Sequence, residues 1–497
     1  MDFLAKLLDP EYVNGPIFGR EAARGFVALK LLTGRQWFSR VWIIQEVAYA
    51  SNAIVLCGEK EIHLEDFIAA FRLAKSKLCG GDGFSQVILI DKPQRDGLRM
   101  FPDSGAHQLL QVIKDVFSPS QDGSIRKRKT LTLEALVSQL TSFEASNLRD
   151  IVYAALGLAS DAAESCSDTW GFRLQHIPRK LIQPDYSKLV VDAWVDFVAH
   201  FVQSSESLDI IVRPWASCES LSKVDQRRVP SWIRSRKYLP FDDPSFRHTG
   251  RQGADGLVGA TPKPEYNVYP GLRPQVEFVR SPTLRLSARG IDLGRIVQQP
   301  VPIEQGIITR ECLEMIEFAE DLVHSAPLNS TDASIRVCSF MCAGKVPHVA
   351  SLISSSGVMD NRRAYRQLLR DSGDIDTEEW LKRDLSPDLS SVLSRIRAVT
   401  LNRKIAYIYG TLYALSLIPE AAHDGDRVCV LFGMSVPVIL RQTKKNYPSR
   451  SIKSWKLVGE TYIDGAMNGE LREYFQQHRE LDIVGAKEVN GESFDIV

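Results

Sequence analysis

The sequence predicts a protein of mixed α/β and α+β class, and three stretches carry that expectation. Residues 1 to about 75 read as helix, helix, strand, helix around one all-apolar run, Ala53-Ile-Val-Leu-Cys57. Leu189 to Gln203 and much of 304 to 420 repeat apolar residues at helical spacing. From Arg427 onward, short apolar runs broken by Gly and Pro mark strands.

The elements follow in order. Glu21 to Leu32 carries Ala22, Phe26, Leu29 and Leu32 on one helical face, and Gly34 breaks it. Ser39 is the expected N-cap of a helix through Tyr49. Ala53 to Cys57 reads as a short buried strand ended by Gly58, and Leu64 to Leu78 as an amphipathic helix. A helix feeding an apolar strand and a further helix implies a parallel sheet. The strand is expected to pair with one from 280–300 or 427–462, or to lie under helices. Cys79 to Pro102 is a glycine-rich loop; Leu109 to Phe117 is a helix, as is Thr132 to Thr141 with Thr132 as its cap. Asn147 to Gly157 is a helix expected to end in a left-handed glycine. Val229 to Phe278 reads as irregular, Thr283 to Ala288 and Gly290 to Val297 as strands, and 304 to 420 as mainly helical. Arg427 to Gly433, Val436 to Arg441 and Ser454 to Tyr462 close the chain as a β-rich module. The expected division is 1–78, 79–205, 206–300, 301–424 and 425–497, with Trp37, Trp42, Trp194, Trp232 and Trp455 mostly buried in several cores.

Composition excludes some functions. The 497 residues are 44% apolar and 25% charged, which suits large cores and not a disordered chain. Lys plus Arg equals Asp plus Glu at 61 each, so nothing draws the whole chain to nucleic acid or membranes. The basic run Arg126-Lys-Arg-Lys129 reads as a solvated loop, with a nuclear-localisation patch as its alternative. No apolar run reaches the roughly 18 residues a membrane span needs. The first residues lack the pattern of a secretory signal. The eight cysteines form no CxxC pair, and Cys338 and Cys342 have no histidines at zinc spacing. A cytoplasmic protein with reduced thiols, and neither metal nor cofactor, is the expectation.

The fingerprints of dinucleotide binding, P-loops, serine hydrolases and zincins are missing. Asp464-Gly-Ala-Met-Asn-Gly469-Glu470 reads as a turn with left-handed glycines. His63 reads as a surface or capping residue. What remains is Trp37-Phe-Ser-Arg-Val-Trp-Ile-Ile-Gln-Glu46. Helical spacing puts Trp42, Gln45, Glu46 and Tyr49 on one face. A carboxylate beside an indole either belongs to a structural polar network or is poised for chemistry. The residues leave both open.

Several blocks together resemble the fungal heterokaryon-incompatibility (HET) family. Trp37 to Glu46 is similar to its "WFxRxWxxQE" segment, with Cys57-Gly58 following. Arg149-Asp150, Tyr153, Leu156 and Gly157 resemble "RDxVYALLGL"; Pro184-Asp-Tyr186 resembles "PDY"; Pro230-Ser-Trp232 resembles "PSW". Gly425-Asp-Arg-Val-Cys429, Phe432-Gly433, Ser435-Val-Pro437, Val458-Gly459 and Tyr462 through Gly469-Glu470 resemble its closing region. The opening family blocks, "LSYxWG" and "WIDxxCINQ", have no counterpart before Trp37, so the resemblance implies a HET domain lacking its N-terminal half.

HET domains have been likened to TIR domains, so the resemblance implies a TIR-like, flavodoxin-like remnant over 1–78. It also implies a role in self/non-self recognition (vegetative incompatibility) and programmed cell death. That role would be exerted through contacts with other proteins, such as another incompatibility factor or a second copy, with no nucleic-acid or membrane partner. Trp42-Ile-Ile-Gln-Glu46 is similar to the "WCxxE" segment of NAD-cleaving TIR proteins. The resemblance therefore names Glu46 as a catalytic candidate that would stabilise an oxocarbenium, supported by Arg40 and Trp42, with NAD as substrate. The favoured expectation is a degenerate, non-catalytic member. The alternatives are that residual NAD-cleaving hydrolase and an accessory protein of a biosynthetic pathway.

Overall fold

The computed structural model describes residues 2–14, 20–50, 52–79, 105–118, 128–141, 143–162, 182–235, 257–258, 264–280, 283–317, 330–346, 373–383, 385, 387–443, 453–478 and 491–497. The expected loop Cys79 to Pro102 and the residues Arg126 and Lys127 lie almost wholly outside them. The chain divides near Val190 into two compact units. Helix and strand both contribute heavily, as the mixed class requires.

The first unit is mainly helical. After two short helices, Asp2–Leu7 and Pro10–Asn14, come α1 (Arg20–Thr33), α2 (Ile43–Tyr49), β1 (Ile54–Cys57), β2 (Lys60–His63), α3 (Leu64–Cys79), α4 (Gly105–Val116), β3 (Phe117–Ser118), β4 (Arg128–Lys129), α5 (Leu133–Leu140) and α6 (Asp150–Leu156). The core gathers around Phe38, Phe67 and Phe71, whose rings stack at 5.8 and 6.4 Å. Thr132 caps α5 as expected, its hydroxyl accepting from the Ala135 amide at 3.3 Å.

Several sequence expectations are corrected here. The apolar run does not join a parallel sheet: β1 pairs antiparallel with β2 across a tight turn at Gly58, whose φ is +64°. Two strands cannot cover each other, so Ile54 and Leu56 stay exposed, Leu56 at 70%. Among the described residues of this unit, no sheet of the flavodoxin kind forms. Ser39 does not cap α2; it ends a 3₁₀ turn, its hydroxyl donating to the Gln36 carbonyl at 2.9 Å. Trp37 is 40% exposed and Trp42 half-buried, whereas Trp194, Trp232 and Trp455 are buried as expected.

The second unit begins with α7 (Val190–Ser205), whose Trp194 and Phe197 pack edge-on against Trp215 at 5.8 and 4.8 Å. Its remainder is built on a nine-stranded sheet. The strands are β5 (Val276–Val279), β6 (Arg285–Ile303), β7 (Arg403–Tyr409), β8 (Tyr413–Pro419), β9 (Arg427–Leu431), β10 (Val438–Thr443), β11 (Ser454–Glu460), β12 (Tyr462–Ile463) and β13 (Glu492–Ile496). Pairing runs β9–β10–β11–β13–β6 and returns from β6 to β9, so five strands close a ring. Closure removes the open edges that invite aggregation. The far half of β6 pairs with β7, which carries β8 and β12 outward. One apolar cluster, including Ile291, Leu293, Ala406, Ile408, Val428, Val430 and Ile439, serves both parts.

The three closing strands fall where the sequence places them. The two runs at 283–297 prove to be one nineteen-residue strand. The reading of 304–420 as mainly helical holds for Arg310–Glu317, Ser330–Met341 and Pro387–Thr400 and fails at 403–419, where β7 and β8 form a hairpin. Where β6 bends between its two partners, Gly294 takes φ +135° and a Cβ there would stand 2.6 Å from the Tyr409 carbonyl oxygen. Only glycine lets the backbones cross so closely.

Candidate functional site

The block from Trp37 to Tyr49 is spent on joining segments of the first unit. Before α2, the Val41 amide donates to the Glu144 carbonyl at 3.1 Å and the Glu144 amide donates to the Ser39 carbonyl at 2.6 Å, a short parallel bridge. On α2, Gln45 Nε2 donates to the Ala154 carbonyl at 2.7 Å, and the Tyr49 hydroxyl donates to the Gly157 carbonyl. Lys129 Nζ reaches the same Gly157 carbonyl at 2.5 Å. Those carbonyls are the orphan acceptors that every helix leaves at its C-terminal end. Side chains satisfy them here, so the expected left-handed ending is not needed. Gly157 is right-handed at φ −65°, a correction to the sequence reading. A Cβ on Gly157 would stand 2.9 Å from Gln45 Nε2. The glycine therefore serves close approach, not a turn.

The other end of α6 is held in the same manner. Asp150, buried in the helix's first turn, accepts from the Tyr186 hydroxyl at 2.7 Å. Arg149 Nε donates to the Lys188 carbonyl at 2.8 Å, and its Nη1 donates to Asn147 Oδ1 at 3.0 Å. The Tyr153 hydroxyl donates to the Asp185 carbonyl at 3.0 Å, and its ring meets Tyr186 edge-on at 5.4 Å. The Arg149-Asp150-Tyr153 and Pro184-Asp-Tyr186 blocks are thus one clamp. Partial burial, then the hydrogen bond to Asp150, pushes the Tyr186 phenol up to about 12. A phenol raised in the folded state contributes stability that is fully present below its unfolded value near 10 and lost as pH rises through 12. Denaturant midpoints followed by tryptophan fluorescence should fall between pH 10 and 12, and Tyr186→Phe should flatten that part of the curve.

The three candidate catalytic residues stand differently. Glu46 lies exposed on α2, Arg40 lies exposed just before it, and Trp42 is half-buried as the residue preceding the helix. Among the described residues, no side-chain hydrogen bond or ion pair links these three or ties Glu46 elsewhere. The structure brings together Gln45, Tyr49, Lys129 and Gly157, not Arg40 and Glu46. Sequence reasoning took Lys129 only as the end of a solvated basic run and Asn147 only as a helix start, and it missed Glu144 altogether. Gln45 and Tyr49 were visible as face-mates of Glu46 but not as its more committed neighbours.

In the second unit, charged residues of the closing blocks pair with one another. Asp426 accepts from Arg441 Nε at 2.9 Å and Nη2 at 2.7 Å, which raises the Arg441 guanidinium further, and it also accepts from the His423 amide at 2.9 Å. Arg403 is buried against Glu460, donating to its carboxylate and, at 3.0 Å, to its carbonyl. Tyr462 donates to Asp464 at 3.0 Å, and Gly465 and Gly469 take φ +71° and +101°, the turn expected there. Ser231 of the Pro-Ser-Trp block donates to the Val497 carbonyl and accepts from the Leu457 amide at 2.9 Å. Burial pushes the Asp209 carboxyl up, against the opposing pull of Arg213 and of the Ser435 amide 2.8 Å away. Among the described residues, no group of His, Cys, Asp or Glu could hold a metal, and no helix is long and apolar enough to cross a membrane.

No family model matches the chain, and no solved structure matches it. It is 24% identical to heterokaryon incompatibility protein 6, OR allele, of Neurospora crassa, in an alignment of 488 residues that takes in 88% of this chain and 65% of that protein. It thus spans somewhat under two-thirds of the length of the curated relative it matches. The segments knitted together in both units lie in a chain distantly similar, over most of its length, to a fungal heterokaryon incompatibility protein.

Proposed function

We propose that this chain takes part in heterokaryon incompatibility and acts through protein contacts, not through bond cleavage at Glu46. The similarity over 88% of the chain carries the first half of that reading. The use of the Trp37–Tyr49 block supports the second: its polar side chains fasten α6, while Glu46 is exposed and, among the described residues, makes no side-chain hydrogen bond or ion pair. A carboxylate that must stabilise an oxocarbenium works best where water is excluded and donors are fixed. The end state of the role is growth arrest or death of fused cells of unlike type.

Two measurements test the halves separately. Expressed from an inducible promoter in Neurospora crassa strains of differing incompatibility type, the chain should suppress heterokaryon growth in some backgrounds and not in others; equal growth in all would overturn the role. Purified protein incubated with NAD should release no more nicotinamide than Glu46→Gln does. Release that vanishes in that variant would establish the NAD-cleaving alternative, with Arg40 and Trp42 as the next residues to change.

A further inference from the structure

Two tyrosines and two arginines form one exposed row across four adjacent strands of the second unit. Tyr413 of β8 stands opposite Tyr409 of β7, Tyr409 stands opposite Arg295 of β6, and Arg295 stands opposite Arg427 of β9. Residues directly opposite share a face, and strands about 4.8 Å apart give this row a length of roughly 14 Å. Tyr409 is 58% exposed and Tyr413 44%, and both arginines are exposed as well.

Tyr407, two residues before Tyr409 on the same face, lies parallel to Tyr413 with ring centroids 5.3 Å apart and planes 5° apart. Tyr409 meets Tyr413 at 75° and 6.5 Å. The three rings make a ridge with a step, not a flat apolar patch. Among the described residues, neither the Tyr409 nor the Tyr413 hydroxyl has a hydrogen-bond partner. Arg427 is paired with Asp292 at 2.9 Å, whereas Arg295 has no carboxylate partner among them.

We propose that this row is a docking surface for a proline-rich segment of a partner protein that carries an acidic residue beside its prolines. The inference rests on the reading that the chain acts through protein contacts and names the chemistry of one such contact. A polyproline II helix leaves its carbonyls free and is already extended, so it loses little entropy on binding. Its pyrrolidine rings pack on stepped aromatic faces while tyrosine hydroxyls donate to its carbonyls. Charge selects the acidic residue: with Arg427 neutralised by Asp292, Arg295 offers a single cation to a single carboxylate. A single-stranded nucleic acid also stacks on aromatics but draws its affinity from several neutralised phosphates, which one free arginine does not supply.

Fluorescence anisotropy of the full chain tests this with three labelled probes: a peptide of repeated Pro-Pro-Glu triplets, its Pro-Pro-Lys counterpart, and single-stranded oligothymidylate. The glutamate peptide should bind saturably and best. Tyr409→Ala and Tyr413→Ala should each weaken it about tenfold with unchanged unfolding midpoints, since both side chains are exposed. Arg295→Glu should shift the preference toward the lysine peptide. No saturation below about 1 mM peptide, equal binding by the double tyrosine variant, or tighter binding of the oligonucleotide would each overturn the proposal. Because the binding assay needs no incompatible strain, its failure is distinguishable from failure of the incompatibility role.

Discussion

Arg403→Ala is expected to lower the unfolding free energy of the second unit by about 3–5 kcal/mol, the usual loss when one partner of a buried ion pair is removed. Arg403 keeps 4% of its side chain in contact with water and Glu460 15%, so solvent screens the pair little. Removing the guanidinium leaves the Glu460 carboxylate without its ion pair and takes the Arg403 donor from the Glu460 carbonyl. The double variant Arg403→Met with Glu460→Leu should recover most of the loss, because two apolar side chains of similar size leave no orphaned charge. Urea unfolding at neutral pH checks both. A double variant as unstable as the single one would show that the pair's geometry, not the orphaned charge, is what matters.

Gly294→Ala should cost about 3 kcal/mol or more. Its φ of +135° belongs to a region essentially closed to side-chain-bearing residues, worth about 1–3 kcal/mol by itself. The added methyl also meets the Tyr409 carbonyl oxygen at 2.6 Å and the Gly410 Cα at 3.0 Å, both backbone atoms that cannot turn aside. In a unit of this size the loss corresponds to a fall in melting temperature of roughly 6–12 °C. Gly425→Ala is the matched control. Gly425 is also left-handed, at φ +84°, but nothing lies within 4 Å of its would-be Cβ, so about 1 kcal/mol is expected. Equal losses at the two positions would mean that β6 can move aside and that the crossing is not fixed.

Local pattern in the sequence identified much that local physics decides. Thr132 announces its helix because a hydroxyl three residues before an unpaired amide has one obvious use, and α3 and α7 follow from their apolar stripes. Reading failed where a partner distant in the chain sets the outcome. The run Ile54-Val-Leu-Cys57 is apolar enough for a buried strand, but Gly58 lets it fold back on the nearest available strand, which is polar. Residues 403–419 alternate tyrosines and aliphatics around Gly410, a strand signature hidden inside a region whose neighbours are helical. At the candidate site, the block from Trp37 to Tyr49 was legible in the sequence, and the partners of its polar side chains were not. Glu46 drew notice for its chemistry, while Gln45 and Tyr49 gained their roles from carbonyls more than a hundred residues away. No spacing rule encodes such a meeting.

The closed ring of strands has a consequence for how the protein is made. Strand β6 emerges from the ribosome roughly two hundred residues before β13, the strand that completes the circle, and Ser231 waits 266 positions for the Val497 carbonyl it binds. Until then the edge of β6 from Leu286 to Gly290 lacks the partner that β13 supplies, and the search for distant partners is slow compared with helix formation. The ring of the second unit therefore cannot close until β13 has been made. A ribosome stalled shortly before residue 492 would release a chain whose largest sheet cannot close into its ring.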